Sequence, residues 1–471
     1  MVRRAMPAAV AAALVLVAAC AQESTDSPLV APTPREPGPG EQPQTPETLD
    51  EVVAASIRDI EAFWADTYPA TYDGPLEPLE GGYHAYGPHT PLPPCEGLRS
   101  YEEIARNAFY CPENDLIAWD QVALFPELEA QFGPFTVSLV LAHEFAHAVQ
   151  LRAGFLGRDD TIATELQADC YAGAWTAWLA GGNSPSFAVT EERLDSSVAG
   201  MIAIRDVPGT GADDPRAHGS GFDRIGSFQD GFRRGAQRCR DYPQLYERNE
   251  LAVVQMPFMS ADDAARGGNL HLEDKGPDNP GLYTLSEDSL ERFYAALFQD
   301  LGTPWEPVDD LVLVEPERDS VRCGGTELSD SELEFISVYC AAENIVLLDE
   351  AGLIASLYEI GDFAVAAEIG RRWAVAAQLQ LGSSDDTTNS SLQADCLTGI
   401  WASAMFPDAA GQTELGDAVL SPGDLDEVIM GFLTYGNTTD DEVGTAFDRA
   451  SALRSGFVGG IDACERYAPL S

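Results

Sequence analysis

The sequence predicts an α+β fold, mainly helical with a small sheet, carried twice in tandem. Three observations lead there. Four segments recur in the same order at a nearly constant offset. Each copy holds a long apolar run framed by glycines, and in the first copy it is free of Gly and Pro after Pro134, as a helix requires. Short alternating runs rich in Leu, Ile, Val and Trp precede those helices and read as strands.

The repeat is legible residue by residue. Gly133, Phe135, Val137, Gln150 and Gly154 match Gly361, Phe363, Val365, Gln378 and Gly382 without a gap. Leu166-Gln-Ala-Asp-Cys170 recurs as Leu392-Gln-Ala-Asp-Cys396, and Phe222-Asp-Arg224 as Phe447-Asp-Arg449. Tyr110-Cys111 matches Tyr339-Cys340, and Cys95 has Cys323 as its counterpart. Stacked similarity of this kind marks duplicated units. The domain reading is 1–20 a leader, 21–48 a tether, 49–243 the first copy, 244–284 an inter-copy segment and 285–471 the second copy.

The leader has Arg3 and Arg4 before an apolar run from Ala5 to Ala19 that is too short to span a bilayer. It ends in Val-Ala-Ala-Cys20, which resembles the lipobox of bacterial lipoproteins, so Cys20 is the expected acylation site. The stretch after it is crowded with Pro, Gly, Glu and Thr and reads as an extended tether. The expected location is extracytoplasmic, anchored to the cell membrane by lipid alone, where disulfides persist.

Helices are expected near Leu49–Trp64, Phe135–Ala153, Thr161–Leu179, Glu191–Arg205 and Gly221–Arg238 in the first copy. The second should repeat them near Glu287–Gln299, Asp362–Leu381, Asn389–Met405, Asp424–Tyr435 and Ala446–Ala463. Strands are expected around Glu77–Tyr86, Leu116–Trp119, Leu311–Val314 and Ile345–Leu348, with a further one at Leu251–Met256. The Asn114–Asp120 run suggests a strand that binds extended peptide along its edge.

Nine cysteines leave one over, which the lipobox takes, and the other eight divide four and four. Four cysteines allow three pairings. The one favoured is Cys95–Cys111 with Cys170–Cys239, repeated as Cys323–Cys340 with Cys396–Cys464.

A net charge of −50, with Lys275 the single lysine, repels phosphate backbones and excludes nucleic acid as a partner. The chemistry concentrates at His143-Glu-Phe-Ala-His147. Spacing i, i+4 inside a helix puts both imidazoles on one face, where they can share a Zn²⁺, with Glu144 in reach as general base. Catalytic zinc takes three protein ligands, and Glu165 supplies the third, 18 residues past His147. Asp169, one turn on, would accept a hydrogen bond from a ligand imidazole.

The second copy is an internal control. His143, Glu144, His147 and Glu165 become Arg371, Arg372, Val375 and Ser391, so that copy cannot hold the metal and is catalytically inactive. Asp169 persists as Asp395, which should then pair with Arg371. His218 becomes Val443, which marks it as a candidate oxyanion stabiliser. His84, His89 and His271 read as loop histidines without a catalytic part.

Tyr110-Cys-Pro, the HEFAHAVQ run ending at Gln150, Glu165-Leu-Gln-Ala-Asp-Cys-Tyr-Ala-Gly-Ala-Trp175, and His218-Gly-Ser with Phe232, Gly235 and Cys239 together resemble the bacterial neutral zinc metallopeptidase family. The resemblance covers the first copy, and the second in decayed form. It implies a zincin-like domain, one zinc, and hydrolysis of a peptide or protein substrate. The chain departs from the family pattern at Gly221, Phe222 and Asp223, where a more polar run is expected. The competing reading is a non-enzymatic surface lipoprotein, a binding or assembly module with a structural or vestigial zinc site. Loss of function in Glu144→Gln separates the two.

Overall fold

The structure is a computed structural model that describes residues 46–156, 161–211, 214, 217–276, 279–382, 388–408, 410–435 and 443–468. The leader, Cys20 and most of the tether therefore lie outside the described residues. The chain divides into two compact units between Met256 and Pro257, inside the expected inter-copy segment. It is mainly helical with small sheets, an α+β architecture. Among the described residues, no helix is long and apolar enough to cross a membrane.

The first unit opens with α1 (Leu49–Thr71). Thr48 and Glu51 form a reciprocal capping box that satisfies its first amides. Then come β1 (Gly82–Tyr86), β2 (Ala108–Cys111) and β3 (Leu116–Asp120), followed by α2 (Leu124–Phe132), α3 (Pro134–Ala153) and α4 (Thr161–Trp178). The unit closes with α5 (Glu191–Ala203), α6 (Gly221–Arg234), α7 (Ala236–Arg240) and α8 (Tyr242–Glu247).

α3 is the central element. Gly133, at φ 83°, turns the chain into it, and Pro134 fits its first turn, where no amide partner is needed. Gly154, left-handed at φ 75°, closes it. Between them the helix is apolar on nearly every face and correspondingly buried. α1 lies against it through Ser56 and Ser138, whose hydroxyls meet at 2.7 Å, and Phe135 stacks on Trp175 of α4. Arg152, in its last turn, grips both oxygens of Asp115 at 3.1 and 2.9 Å, which ties the helix end to the start of β3.

The second unit runs α9 (Ala261–Arg266), α10 (Leu282–Asp300), β4 (Asp310–Val314), β5 (Arg322–Cys323), β6 (Thr326–Glu327), α11 (Asp330–Leu333), β7 (Ser337–Cys340) and β8 (Ile345–Asp349). It ends with α12 (Ala355–Tyr358), α13 (Asp362–Gln380), α14 (Thr388–Ala404), α15 (Asp424–Tyr435) and α16 (Ala446–Cys464). Its three-stranded sheet has order β4-β8-β7, with β4 parallel and β7 antiparallel to the middle strand. The first unit's sheet has order β1-β3-β2 with the same parallel and antiparallel partners. Phe363 stacks on Trp401 as Phe135 does on Trp175.

All four favoured disulfides are present: Cys95–Cys111, Cys170–Cys239, Cys323–Cys340 and Cys396–Cys464. Cys170–Cys239 joins α4 to α7 beside an unusually close helix pair. A Cβ on Gly173 of α4 would stand 1.9 Å from the carbonyl oxygen of Phe228, and one on Gly231 of α6 would stand 1.8 Å from that of Cys170. Only glycine lets the two backbones touch.

Several expectations are corrected. Residues Leu251–Met256 form no strand: the amides of Val254 and Gln255 donate to the Asp223 carboxylate at 3.0 Å instead of to a neighbouring strand. β3 is the middle strand, hydrogen-bonded on both sides, so it has no edge to offer a peptide. β1 begins at Gly82, not Glu77, and α1 runs on through Pro69 to Thr71. α6 stops at Arg234, because Gly235 at φ 76° breaks it before α7.

Candidate metal centre

α3 presents His143 and His147 one turn apart, facing α4, which carries Glu165 and Asp169 one turn apart. The His143 and His147 Nε2 atoms lie 3.2 Å from each other. Glu165 reaches them with Oε2 at 3.2 Å from His143 Nε2 and Oε1 at 3.7 Å from His147 Nε2.

The outer nitrogens are already committed. His143 Nδ1 donates to Asp169 Oδ1 at 2.8 Å, and His147 Nδ1 donates to Gln150 Oε1 at 2.8 Å. The Gln150 orientation follows from its amide nitrogen, which donates to the Thr164 carbonyl at 2.6 Å and to Gln167 Oε1 at 3.0 Å. Gln167 in turn donates to the Cys239 carbonyl at 2.9 Å. Both Nδ1–H groups are therefore committed, so the two Nε2 atoms, once deprotonated, turn their lone pairs toward the same point as the Glu165 carboxylate. That arrangement demands positive charge at its centre.

The spacing suits zinc. Ligands bound at about 2.0–2.2 Å in a tetrahedron stand about 3.3 Å apart, which is the scale of this triangle. Asp169 is fixed from behind by Arg224 of α6, whose Nε and Nη2 donate at 2.8 and 3.0 Å. The Arg224 side chain is only 3% exposed and also donates to the Ile204 carbonyl at 2.8 Å. Sequence reasoning gave Arg224 no role. Its recurrence as Arg449 was the available signal, but persistence in both copies does not distinguish a strut from a helix cap.

The electrostatics follow from these contacts. Burial lowers the His143 pKa, but Asp169 and then Glu165 outweigh it and push it up to about 10 in the metal-free protein. For Glu165, burial works upward, while His147, His143 and His218 hold the carboxyl far below its usual range. Burial pushes the Glu144 carboxyl up, with the Glu165 charge adding to that and the histidines opposing it. Glu144 thus sits beside the two histidines in a poorly solvated place, as a proton acceptor there must.

His218 stands at the rim, its side chain 54% exposed and its Nδ1 3.7 Å from Asp206 Oδ1. Asp206 also receives the His218 and Gly219 amides at 2.6 and 2.8 Å, and it raises the His218 pKa. The imidazole is near enough for its charge to lower the carboxyls of Glu165 and Glu144. His84, by contrast, bonds the Gly81 carbonyl at 2.9 Å in its own loop. At the departure Gly221-Phe-Asp223, Phe222 is core and Asp223 anchors residues 254 and 255.

The second unit repeats this frame with other residues at the histidine and Glu165 positions. Arg371 lies 2.6 Å from Asp395 through Nε, where His143 meets Asp169, and donates from Nη2 to Ser391 Oγ at 2.9 Å, where His143 meets Glu165. Arg449 grips Asp395 at 2.9 and 3.2 Å, as Arg224 grips Asp169. Gln378 donates to the Ser390 carbonyl at 2.8 Å and to Gln393 at 2.9 Å, repeating the Gln150 pattern beside Val375.

Residues 100–242 match the family model described as "Putative neutral zinc metallopeptidase". The matched segment holds His143, Glu144, His147, Glu165, Asp169, His218 and Arg224, whereas α1 and β1 precede it. The chain is also 33% identical over 152 residues to an uncharacterized protein of Mycobacterium bovis and to uncharacterized proteins of two Mycobacterium tuberculosis strains. The alignment takes in 27% of this chain and 52% of each relative, so the chain spans about half the length of the curated relatives it matches. No solved structure matches it.

Proposed function

We propose that the chain is a zinc-dependent metallopeptidase, exported and anchored to the cell membrane by a lipid on Cys20, that hydrolyses peptide bonds in a peptide or protein substrate. The observation that carries this reading is the convergence of two imidazole lone pairs and a carboxylate whose outer hydrogen bonds leave them no other partner. His143, His147 and Glu165 would hold the zinc. When bound, zinc supplies a Lewis acid that polarises the scissile carbonyl and makes water acidic enough to attack near neutral pH. Glu144 takes the proton from the attacking water and returns it to the leaving amine. Asp169 and Gln150 keep the imidazoles in the ligating tautomer, and Arg224 keeps Asp169 in place. His218, charged beside Asp206, faces the developing oxyanion from the rim.

The second unit is a degenerate, catalytically inactive copy of the first, a zincin-like domain duplicated in tandem. Arg371 replaces a metal–histidine pair with one fixed cation, which meets the same electrostatic demand without a ligand position.

The test is zinc content, together with cleavage of a denatured-protein or peptide library, for wild type and Glu144→Gln. The reading expects stoichiometric zinc in both proteins and Glu144-dependent cleavage. Equal cleavage by both, or wild type that takes up no zinc, overturns it and favours the binding-module alternative.

A further inference from the structure

The second unit contains a group of acids that the metallopeptidase reading does not use. Asp362 at the start of α13 meets Asp424 and Glu427 from the first turn of α15, with one carboxylate oxygen from each within 4.8 Å of the others. All three residues are buried. Asp362 Oδ2 accepts the Leu270 amide at 2.8 Å, but its Oδ1 is buried with no hydrogen-bond partner among the described residues. Among those residues, no arginine, lysine or histidine pairs with Asp362 or Asp424. A fourth acid, Asp263 of α9, adds negative charge.

Such a group is costly as it stands. Burial is the largest influence on the Asp362 and Asp424 carboxyls and pushes both up, while the Leu270 amide beside Asp362 and the Ser421 amide beside Asp424 oppose it. The surroundings nevertheless hold the oxygens in place. Glu427 Oε2 accepts the Phe363 amide at 2.9 Å, Asp424 Oδ2 accepts the Ser421 amide at 2.8 Å, and the Asp362 amide donates to Asn269 Oδ1 at 2.7 Å. Gly361 makes room for them: a Cβ there would stand 2.1 Å from both Glu427 oxygens. The first unit starts its equivalent helix with Gly133-Pro134 and has no carboxylate at that place.

We propose that Asp362, Asp424 and Glu427 form a site for a hard divalent cation, calcium, in the second unit. The donors are all oxygens, as calcium prefers, and among the described residues no imidazole or thiolate joins the group to select a softer metal. Asp362 Oδ1, buried and without a hydrogen-bond partner among the described residues, is the donor this proposal assigns to the ion. Bound there, calcium joins the start of α13, the start of α15 and the segment at 269–270, which makes it a clamp on the second unit independent of the histidine site.

The test uses the full chain in calcium-free buffer, titrated calorimetrically with calcium chloride and separately with magnesium chloride, with melting followed in parallel. Wild type is expected to take up one calcium per chain and to melt higher with it. Asp362→Asn, Asp424→Asn and Glu427→Gln should each weaken binding at least about tenfold, since loss of one anionic donor exceeds 1.4 kcal/mol. In calcium-free buffer, Asp424→Asn should melt at or above wild type, because it relieves repulsion. His143→Ala should respond to calcium as wild type does, so failure of the zinc reading leaves this one standing. Wild type with no heat and no melting shift up to about 10 mM calcium overturns the proposal, since even weak extracellular sites bind below that. Variants that bind as tightly as wild type also overturn it, and so does a response to magnesium alone.

Discussion

Asp169→Asn is the most informative single perturbation of the histidine site. The carboxylate accepts on both sides, from His143 Nδ1 at 2.8 Å and from Arg224 at 2.8 and 3.0 Å. An asparagine has the same shape but only one acceptor. If its oxygen faces His143, its NH₂ meets the Arg224 guanidinium donor to donor. If it turns round, its NH₂ forces His143 into the other tautomer and removes the ligating lone pair. In either orientation, Arg224 is left as a buried cation without its anion, which costs about 3–5 kcal/mol. For a unit of this size that corresponds to a fall in Tm of about 6–20 °C. Loss of the carboxylate behind a ligand histidine should also weaken zinc about 10–100-fold. The assays are calorimetric melting and competition for zinc against a chromophoric chelator. Asp395→Asn is the matched control: it takes the carboxylate from Arg449 and leaves Arg371 only Glu368 at 3.8 Å, so it should destabilise the second unit and leave zinc affinity unchanged. Wild-type melting together with wild-type zinc affinity in Asp169→Asn would refute the reasoning.

Three further outcomes are expected. Replacing both Cys170 and Cys239 with serine frees a loop with a separation of 69 residues, and should destabilise the first unit by about 4 kcal/mol in denaturant titration; the Cys396–Cys464 pair should cost the second unit about as much. Burial raises the Glu368 carboxyl, but Arg372 and Arg371 outweigh it and pull it from 4.5 to about 2, so its contribution is complete above pH 4.5 and is lost as pH falls toward 2. That contribution is about 3 kcal/mol, and Glu368→Gln should flatten the acid-unfolding profile of the second unit over that window, whereas an unchanged profile would count against the pairing. Since Asp395, Gln378 and Arg449 keep the supporting frame, the triple variant Arg371→His, Val375→His, Ser391→Glu should bind a second zinc. Retention of the original stoichiometry would show that the frame alone is insufficient.

The helices were legible where their ends carry special chemistry. Gly133 and Gly154 bracket α3, and α15 opens on Asp424, Asp426 and Glu427, charges that suit a helix N-terminus. The cluster of His143, His147 and Glu165 was legible because i, i+4 spacing on a helix is a geometric statement, and because the aligned positions Arg371, Val375 and Ser391 differ from it together. The supporting residues were harder to read. The role of Asp169 followed from its spacing to Glu165, but Arg224 lies 55 residues away, and only the packing of α6 on α4 reveals what it holds. β2 and β7, four residues each, are too short to carry an alternation signal. Leu251–Met256 had the composition of a strand but not its partner, because the Asp223 carboxylate took the amides that a ladder would need. The middle position of β3 was equally hidden, since its apolar sequence does not say how many neighbours it has.

The glycine contacts between α4 and α6 have a mechanical consequence. With Gly173 against the Phe228 carbonyl, Gly231 against the Cys170 carbonyl and the Cys170–Cys239 bond beside them, the two helices cannot slide past one another without driving backbone into backbone. Glu165, Asp169 and Arg224 all ride on that pair, so this side of the histidine site is an anvil. Any adjustment to what binds there falls to the other helix of the site, α3, which carries His143, Glu144 and His147.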